Sequence, residues 1–264
     1  MNRRAAYLDA MGVGPVWLLR AAAPEAPVAE PEEVAPSPTQ PVPPPPALAE
    51  TKSTDTAWAD AGPAAPVSDD AIAAMDWSQL RSAVASCTRC SLCRNGGKPV
   101  PGSGARQARW MVVAGASNQA DDKARQPLAG DPGILLDNMM KAVGLVRQEQ
   151  VYVTNLVKCR PVGSSGAERA PAVDEVAACR PFVEREIALS GAALVLSLGQ
   201  IAANGLRGEP LGQPLAASRG TVHEVHGVPL VATLHPGELL RQGADKAQAW
   251  IDLCLASAGD VGTN

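Results

Sequence analysis

The sequence predicts an α/β protein, a three-layer α/β/α sandwich around a four-stranded, mainly parallel sheet, preceded by a disordered N-terminal extension. Three observations predict it: four apolar runs of strand length, helical patterns between them, and a long Pro- and Ala-rich stretch ahead of them. Because strands that alternate with helices form βαβ units, we expect parallel strands covered by helices on both faces.

The predicted strands are short apolar segments. They cover residues 110–114, 151–157, 193–198 and 229–234. The second of them is apolar almost throughout, as expected for a strand buried on both faces. Ligands collect beyond the carboxyl ends of such strands, so the loops that follow them should build the functional site.

Helical periodicity fills the intervals between the strands. The predicted helices cover residues 133–143, 173–189, 200–206 and 244–255. Upstream, Ser68 is a predicted N-cap of a helix that carries Asp69 and Asp70 in its first turn and continues towards Cys87.

Composition divides the chain into four predicted segments. They are a short amphipathic docking peptide at 1–20, an acidic disordered linker at 21–67, the folded domain at 68–258 and a tail at 259–264. The linker has few large apolar side chains and cannot bury enough surface to offset its ordering entropy. The folded part is mildly basic and has no acid between Asp76 and Asp121, which suits a polyanion such as nucleic acid, although a solvated basic face is the commoner cause of such a run.

The apolar segments also bear on the subcellular location of the protein. No stretch reaches the roughly 18 apolar residues of a membrane span, and the N-terminus has no continuous apolar core for a signal peptide. We therefore expect a cytoplasmic protein, monomeric and without a membrane partner. Six cysteines in such a protein indicate metal or redox chemistry rather than structural disulfides.

Five of the cysteines form a candidate metal centre. Cys87, Cys90 and Cys93 make a C-x2-C-x2-C cluster, and Cys159 and Cys179 follow far downstream. This is one thiolate more than a four-coordinate centre requires. Zinc and a [4Fe-4S] cluster both accept four thiolates, so the spacing leaves both metals open.

Asn155 interrupts the apolar run of the second strand. A buried amide without a partner costs about 1 to 3 kcal/mol, so Asn155 needs a partner from the protein or from a ligand. The plainer alternative is an amide that caps a neighbouring loop, with Cys159 merely packing nearby.

Taken in order, seven motifs resemble those of the family 4 uracil-DNA glycosylases, the bacterial and archaeal iron–sulfur type. They are CTRCSL at 87–92, VYVTNLVKCRP at 151–161, RAPAVDEVAAC at 169–179, LSLGQIA at 196–202, RG at 219–220, TLHPGELLR at 233–241 and KAQAWIDL at 246–253. The resemblance covers residues 80–255. It implies the uracil-DNA glycosylase fold and a base excision repair enzyme that hydrolyses the N-glycosidic bond of a flipped-out uracil in DNA.

The resemblance also implies roles for single residues. Cys87, Cys90, Cys159 and Cys179 match the ligands of a [4Fe-4S] cluster, with zinc as the alternative, and Cys93 is left as the spare thiol. The remaining matches are Asn155, which would read uracil N3 and O4, His235, a neutral donor near uracil O2, and the DNA-contacting residues Leu239, Leu240, Arg241 and Arg219.

The loop after the first strand departs from the family. Residues 115–119 read GASNQ, and residues 127–130 read PLAG. Gly115 and Ala116 take the substrate-binding positions, but Ala116 replaces the carboxylate that positions the attacking water. Leu128 replaces the phenylalanine on which uracil stacks, and such stacking is worth about 1 to 3 kcal/mol.

Three polar residues in this loop could compensate. Asn118 is the candidate for orienting the water, and Asp121 or Asp122 could supply a negative charge. The alternative is that all three are ordinary polar loop residues.

Two functions therefore follow from the sequence. The first is uracil excision from DNA. The second is a catalytically silent, DNA-binding scaffold that residues 3–20 tether to the replication machinery, since this peptide is similar to the one by which the psi subunit of the bacterial replicative polymerase attaches to the clamp loader. In either case we expect this protein to bind DNA and, through residues 3–20, a second protein.

Overall fold

The computed structural model describes residues 66–260 of the chain. The predicted docking peptide, nearly all of the predicted linker and residues 261–264 lie outside this range, so their segment boundaries remain predictions. Within the described range, no helix is long and apolar enough to cross a membrane.

A six-stranded sheet forms the centre of the fold. Its strands are β1 (Ser103–Gly104), β2 (Trp110–Ala116), β3 (Val151–Val157), β4 (Leu194–Leu198), β5 (Val222–Val225) and β6 (Val228–Thr233). The order across the sheet is β1-β3-β2-β4-β6-β5, and the middle four strands are parallel. The α/β prediction is confirmed, and these four strands are the predicted ones.

The sequence did not indicate the two edge strands, which are antiparallel to their neighbours. β1 has only two residues, and β5 is largely exposed, so neither produces the apolar run of a buried strand. β5 returns into β6 through His226 and Gly227, which both have positive φ, as a tight two-residue hairpin turn requires.

Helices cover both faces of the sheet. They are α1 (Asp69–Ala74), α2 (Trp77–Ala85), α3 (Ser91–Arg94), α4 (Gln119–Ala124), α5 (Asp131–Ala142), α6 (Val173–Ser190), α7 (Gly199–Arg207), α8 (Pro236–Arg241) and α9 (Lys246–Asp260). The core on one face includes side chains of α1, α2, α6 and α7, and the core on the other includes side chains of α5 and α9. This is the predicted three-layer arrangement.

The predicted helix from Ser68 towards Cys87 is two helices. Ser68 caps α1 as expected, accepting a hydrogen bond from Ala71 N. Asp76 then starts α2: its carboxylate accepts from Gln79 N at 2.9 Å, and the Gln79 side chain accepts from Asp76 N at 3.0 Å. This reciprocal cap satisfies the free N–H groups of a new helix start, so the chain turns there.

The register of the parallel strands brings their carboxyl ends into one row. Asn155 pairs with Ala114, Ala114 with Leu198, and Leu198 with Thr233. The loops after β2, β3, β4 and β6 therefore leave the sheet side by side, which places the predicted functional loops at one edge.

Candidate active site

Asn155 lies fully buried near the end of β3, and its amide is only partly satisfied. Its Nδ2 donates to Ser117 Oγ and to Asp121 Oδ2, both at 3.0 Å. Its Oδ1 is also buried and has no hydrogen-bond partner among the described residues. Because an unpaired buried acceptor is costly, this oxygen is the best placed atom of the region to meet a ligand.

Asp121 reaches Asn155 from the first turn of α4. Its Oδ1 accepts from Ala129 N at 2.8 Å, so the carboxylate joins the loop before α5 to the base of β3. Burial raises the pKa of this carboxyl above that of an unperturbed aspartate, and hydrogen bonds from Ala129 N and Asn155 oppose the shift. The structure thus supplies a buried carboxyl beside Asn155 where Ala116 has none.

Asn118 has a different position from the one expected of a water-orienting residue. Its Oδ1 accepts from Ala120 N at 2.7 Å and from Asp121 N at 3.0 Å, which caps the start of α4. The side-chain oxygen is therefore engaged by backbone N–H groups. Of the three polar candidates in this loop, Asp121 is the one that contacts Asn155.

Gly115 and Ala116 end β2 beside the loop. Both are half-buried, and Ala116 pairs with Val157 of β3. A Cβ on Gly115 would lie 3.2 Å from Ile201 Cβ, so glycine permits the close packing of α7 on the strand end.

Leu128 does not present its side chain as a stacking surface. It is 2% exposed and packs in the core that contains Leu136 and Met139. Its φ is 51°, an uncommon value for a residue other than glycine. That Leu128 lines the base pocket stays a prediction; in this structure its aliphatic side chain is buried in the core, which is favourable for an apolar group.

His235 follows β6 and caps α8. Its Nδ1 accepts from Gly237 N at 3.0 Å, so in the neutral ring the proton resides on Nε2, which is then a donor. Burial lowers the pKa of His235, while the charges of Glu238 and Asp121 act in the opposite direction. The imidazole is held neutral, as the sequence predicts for a donor to a developing anion.

Two glycines make room for this ring. Gly199 has φ of 80°, and a Cβ there would lie 3.2 Å from His235 Cβ. A Cβ on Gly237 would lie 3.1 Å from His235 Nδ1. The start of α7 and the first turn of α8 can therefore enclose the imidazole closely.

The four predicted DNA-contacting residues separate into two groups. Leu240 is 47% exposed, and Arg241 is also exposed. Leu239 is 1% exposed in the core, and Arg219 donates from Nε to Asp252 Oδ2 at 2.8 Å. Leu239 and Leu240 differ because successive residues of a helix point in different directions. The DNA-contacting roles of all four residues stay predictions.

The cysteines converge next to the end of β3. Cys93 Sγ lies 3.3 Å from Cys159 Sγ and 3.8 Å from Cys90 Sγ, and its hydrogen bond to Cys87 lowers the pKa of that thiol to about 7. Burial raises the pKa of the Cys179 thiol to about 12, and the nearby negative charges of Cys159 and Cys87 act in the same direction. The cysteine expected to be spare therefore lies in the middle of the thiols.

The donor set fits a thiolate-bound metal centre, although the sulfur atoms are hydrogen-bonded to one another. In residues 66–260, no group of three or more Cys, His, Asp or Glu has the spacing of a ready metal site. Five thiols from three chain segments nevertheless lie near one another, and four thiolates are what zinc or a [4Fe-4S] cluster requires.

Lys158 connects the thiols to Asn155. Its backbone N–H donates to Cys179 Sγ at 3.4 Å, and its carbonyl accepts from Ser117 Oγ at 2.8 Å. Its buried ammonium pairs with Glu186 at 2.6 Å. Removal of either partner would leave an uncompensated buried charge, which is strongly destabilising.

The basic run between Asp76 and Asp121 is partly structural. Arg89 donates to Ala178 O at 2.9 Å and also contacts Asp69 and Val67 O. Arg81, Arg94, Lys98 and Arg106 are exposed. The exposed members keep the predicted basic character of this surface.

That Ser117 and Asp121 contact Asn155 was not predicted from the sequence. The only sequence signal was local: a serine directly after a buried strand, and an Asn-x-x-Asp spacing typical of a helix start. Nothing in that signal showed that both side chains meet Asn155.

Comparison with known proteins agrees with this geometry. The family model described as "Uracil DNA glycosylase superfamily" matches residues 101–257. Three relatives carry the name type-4 uracil-DNA glycosylase. The protein of Pyrobaculum aerophilum is 32% identical over 71% of this chain and 96% of its own length. Those of Thermotoga maritima and Archaeoglobus fulgidus are each 30% identical, over 62% and 60% of this chain and 82% and 79% of their own lengths.

Proposed function

Because the chain belongs to the uracil DNA glycosylase superfamily, we propose that it excises uracil from DNA as the first step of base excision repair. The observation that carries the proposal is the buried, unpartnered Oδ1 of Asn155. Release of uracil from U:G and single-stranded oligonucleotides under single-turnover conditions tests it; no release by the metal-loaded protein would overturn it.

Base capture comes first in this reaction. A base within a duplex must rotate out before its glycosidic bond can be reached, and its unpaired edge is then read in a pocket. Uracil carries a donor at N3, which matches the free Oδ1 of Asn155, whereas cytosine carries an acceptor at that position. The buried amide therefore accepts uracil and disfavours cytosine.

Bond cleavage then needs charge stabilisation at both ends of the breaking bond. The electron pair of the C1′–N1 bond leaves with the base, which becomes a uracil anion, and the sugar becomes oxocarbenium-like until water adds and gives up a proton. His235 would donate from Nε2 to the anion at O2, and a donor placed where charge develops is usually the largest single catalytic effect.

Asp121 is the group that we propose in place of the missing carboxylate. Its charge would stabilise the positive sugar and, through Asn155, hold the reading amide in place. It differs from a carboxylate at position 116 because it reaches the site from helix α4 rather than from the strand end.

The rate of uracil release should depend on the protonation state of Asp121. Its raised pKa means that it takes up a proton at a higher pH than an exposed aspartate, and a protonated carboxyl is a poorer acceptor for Asn155. The rate should therefore fall as the pH falls through this pKa. A pH–rate profile of Asp121→Asn should lack this acidic limb; an unchanged limb would assign it to another group.

Stability should respond to the same carboxyl with the opposite sign. The folded protein binds the Asp121 proton more tightly than the unfolded chain does, whose pKa is near 3.8. Between 3.8 and the raised pKa, the contribution of this group to the free energy of unfolding thus decreases as the pH rises. Denaturation of wild type and Asp121→Asn across this range measures it.

We further propose a [4Fe-4S] cluster held by Cys87, Cys90, Cys159 and Cys179, with zinc as the alternative. Bound there, the cluster would act structurally, by joining the N-terminal cysteine loop to the segment after β3. Lys158 directly precedes Cys159, and its own carbonyl accepts from Ser117 Oγ, so it would pass this rigidity through Ser117 to Asn155. No step of the reaction passes through the metal.

Substitutions of single cysteines separate the ligands from the spare. Cys159→Ser should lower the iron content of anaerobically purified protein severalfold and its visible absorbance with it, because a three-thiolate site holds a cluster poorly. Cys93→Ser is the matched control and should retain iron. Loss of iron in Cys93→Ser alone would assign Cys93 to the ligand set, and zinc in colourless protein would replace the cluster.

The remaining partner and location are proposals from the sequence. Residues 3–20 would tether the enzyme to a subunit of the clamp loader, in the cytoplasm of a bacterium. Loss of that subunit from pull-downs after deletion of residues 1–20 would support the tether, and unchanged recovery would exclude it. The three relatives described above, each named as a type-4 uracil-DNA glycosylase, do not favour the silent scaffold.

A further inference from the structure

The helix that carries Asp121 depends on other parts of the chain for its position. α4 has only six residues, and a helix of that length is not stable by itself in water. The Asn118 side chain accepts from the N–H groups of Ala120 and Asp121, the second and third residues of the helix. The N–H group of Gln119, the first residue, therefore needs an acceptor from elsewhere.

That acceptor comes from a hairpin that follows the cysteine after β3. The hairpin covers residues 161–169, and Val162 pairs with Glu168 across it in an antiparallel bridge. Gly166, with φ of 76°, lies in its turn. On the returning side, Glu168 Oε1 accepts from Gln119 N at 2.8 Å. The hairpin thus completes the cap that Asn118 alone leaves open.

Arg160 joins the base of the hairpin to the same helix turn. Its Nε lies 3.2 Å from Asp122 Oδ2, and its Nη1 lies 3.8 Å from Glu168 Oε1. Ion pairs this close to the surface contribute little stability by themselves. Their effect here is geometric, because one guanidinium between two carboxylates directs Glu168 towards Gln119 N and holds Asp122 on the hairpin side of α4.

The opposite side of this turn faces the site. Asp121 is 1% exposed, and its carboxyl contacts Asn155 Nδ2 at 3.0 Å and Ala129 N at 2.8 Å. The helix turn therefore lies between the hairpin on one side and the reading amide on the other. A shift of about 1 Å in a catalytic group can cost about 100-fold in rate, so the contacts that hold this turn should matter to the reaction.

We propose that Glu168, directed by Arg160, is a positioning residue that fixes the first turn of α4 and thereby holds the Asp121 carboxyl in the site. The inference rests on the proposed function, in which Asp121 supplies the charge near the sugar. It adds that this carboxyl is in place only while the hairpin at 161–169 caps its helix.

A double-mutant cycle tests whether Glu168 acts through Asp121. Glu168→Ala removes the acceptor of Gln119 N and should slow single-turnover uracil release about tenfold, because the uncapped turn no longer holds the carboxyl in one place. Glu168→Gln keeps an acceptor oxygen and should recover most of the rate. In the Asp121→Asn background, Glu168→Ala should change the rate by less than about twofold, since the group that it positions is already absent. Equal losses in both backgrounds would overturn the inference.

Hydrogen exchange tests the position of α4 without any base release. Amides in peptides that cover residues 117–125 should exchange about fivefold faster or more in Glu168→Ala, because the first turn opens more often, and Glu168→Gln should restore their protection. Unchanged protection in Glu168→Ala would overturn the inference, whatever the activity. Faster exchange in a protein whose wild type releases no uracil would overturn the proposed function and leave the positioning of α4 standing.

Glu209→Ala is the matched control. The Glu209 side chain is 40% exposed, against 48% for Glu168, and it also pairs with an arginine, Arg207, at 3.6 Å. This pair lies at the end of α7 and not at α4. Release rate and exchange of the control should equal those of wild type. Losses as large as those in Glu168→Ala would contradict the proposal, since any exposed glutamate would then have the same effect.

Discussion

Replacing His235 with alanine is expected to slow uracil release by about 100- to 1000-fold, the usual effect of removing one donor from a developing anion. The neutral ring keeps its proton on Nε2 because Nδ1 accepts from Gly237 N. Affinity for an abasic product oligonucleotide should hardly change, because the donor acts on charge that exists only while the bond breaks.

The alanine variant also removes the cap of α8, and a second variant separates the two effects. His235→Asn should keep the cap, since asparagine is a favoured N-cap residue, but it places no ring donor at Nε2. It should therefore be stable and still slow. His226→Ala, which removes an exposed histidine that pairs with Glu184, is the matched control. Full activity of His235→Asn would exclude the donor role.

Replacing Asn155 with alanine should lower both activity and stability. Without the amide, no group at this position accepts the N3–H of uracil, and release should fall by about 100-fold or more. Ser117 and Asp121 also lose their shared donor, and each buried group left unpaired costs about 1 to 3 kcal/mol in the free energy of unfolding. Single-turnover kinetics and chemical denaturation measure the two losses.

Asn204→Ala is the control for the loss of a buried asparagine. Asn204 lies on α7, where its Nδ2 donates to Gln213 O at 2.7 Å. This variant should lose a similar amount of stability and keep its activity, measured below both melting temperatures. If both variants released uracil equally fast, Asn155 would be a structural residue only.

The divergent loop still brings a carboxyl to Asn155. The sequence GASNQ lacks the expected carboxylate, yet Asp121 follows it by two residues and meets Asn155. Ser117 of the same loop holds the other amide hydrogen. The polar contacts of this loop with Asn155 thus come from Ser117 and from the first turn of α4 rather than from position 116.

Several site residues were predictable because each carries its signal locally. A lone amide in an apolar strand, a histidine before a proline and cysteines at C-x2-C spacing stand out from their neighbours. The buried position of Asn155, the neutral donor form of His235 and the convergence of the five thiols agree with those signals.

The burial of other residues was not predictable from the sequence, because burial is not a local property. Leu128 was expected at the base pocket and Leu239 at the DNA, and both side chains lie in the core beside α5. In the sequence Arg219 has no acidic neighbour, but in the fold α9 places Asp252 within hydrogen-bonding distance of its guanidinium. In each case a segment distant in sequence decides whether the side chain meets solvent, DNA or protein.

The sequence by itself determined the layered α/β architecture and the four parallel strands, and it marked Asn155 and His235 as candidate site residues, because period, composition and spacing act over a few residues. Only the tertiary structure decided what surrounds the amide. Ser117 and Asp121 lie more than 30 residues before Asn155, and it is the pairing of β2 with β3 that brings them within 3.0 Å. Strand register and helix placement are long-range outcomes of packing, so the orientation of the Asn155 amide followed from the fold.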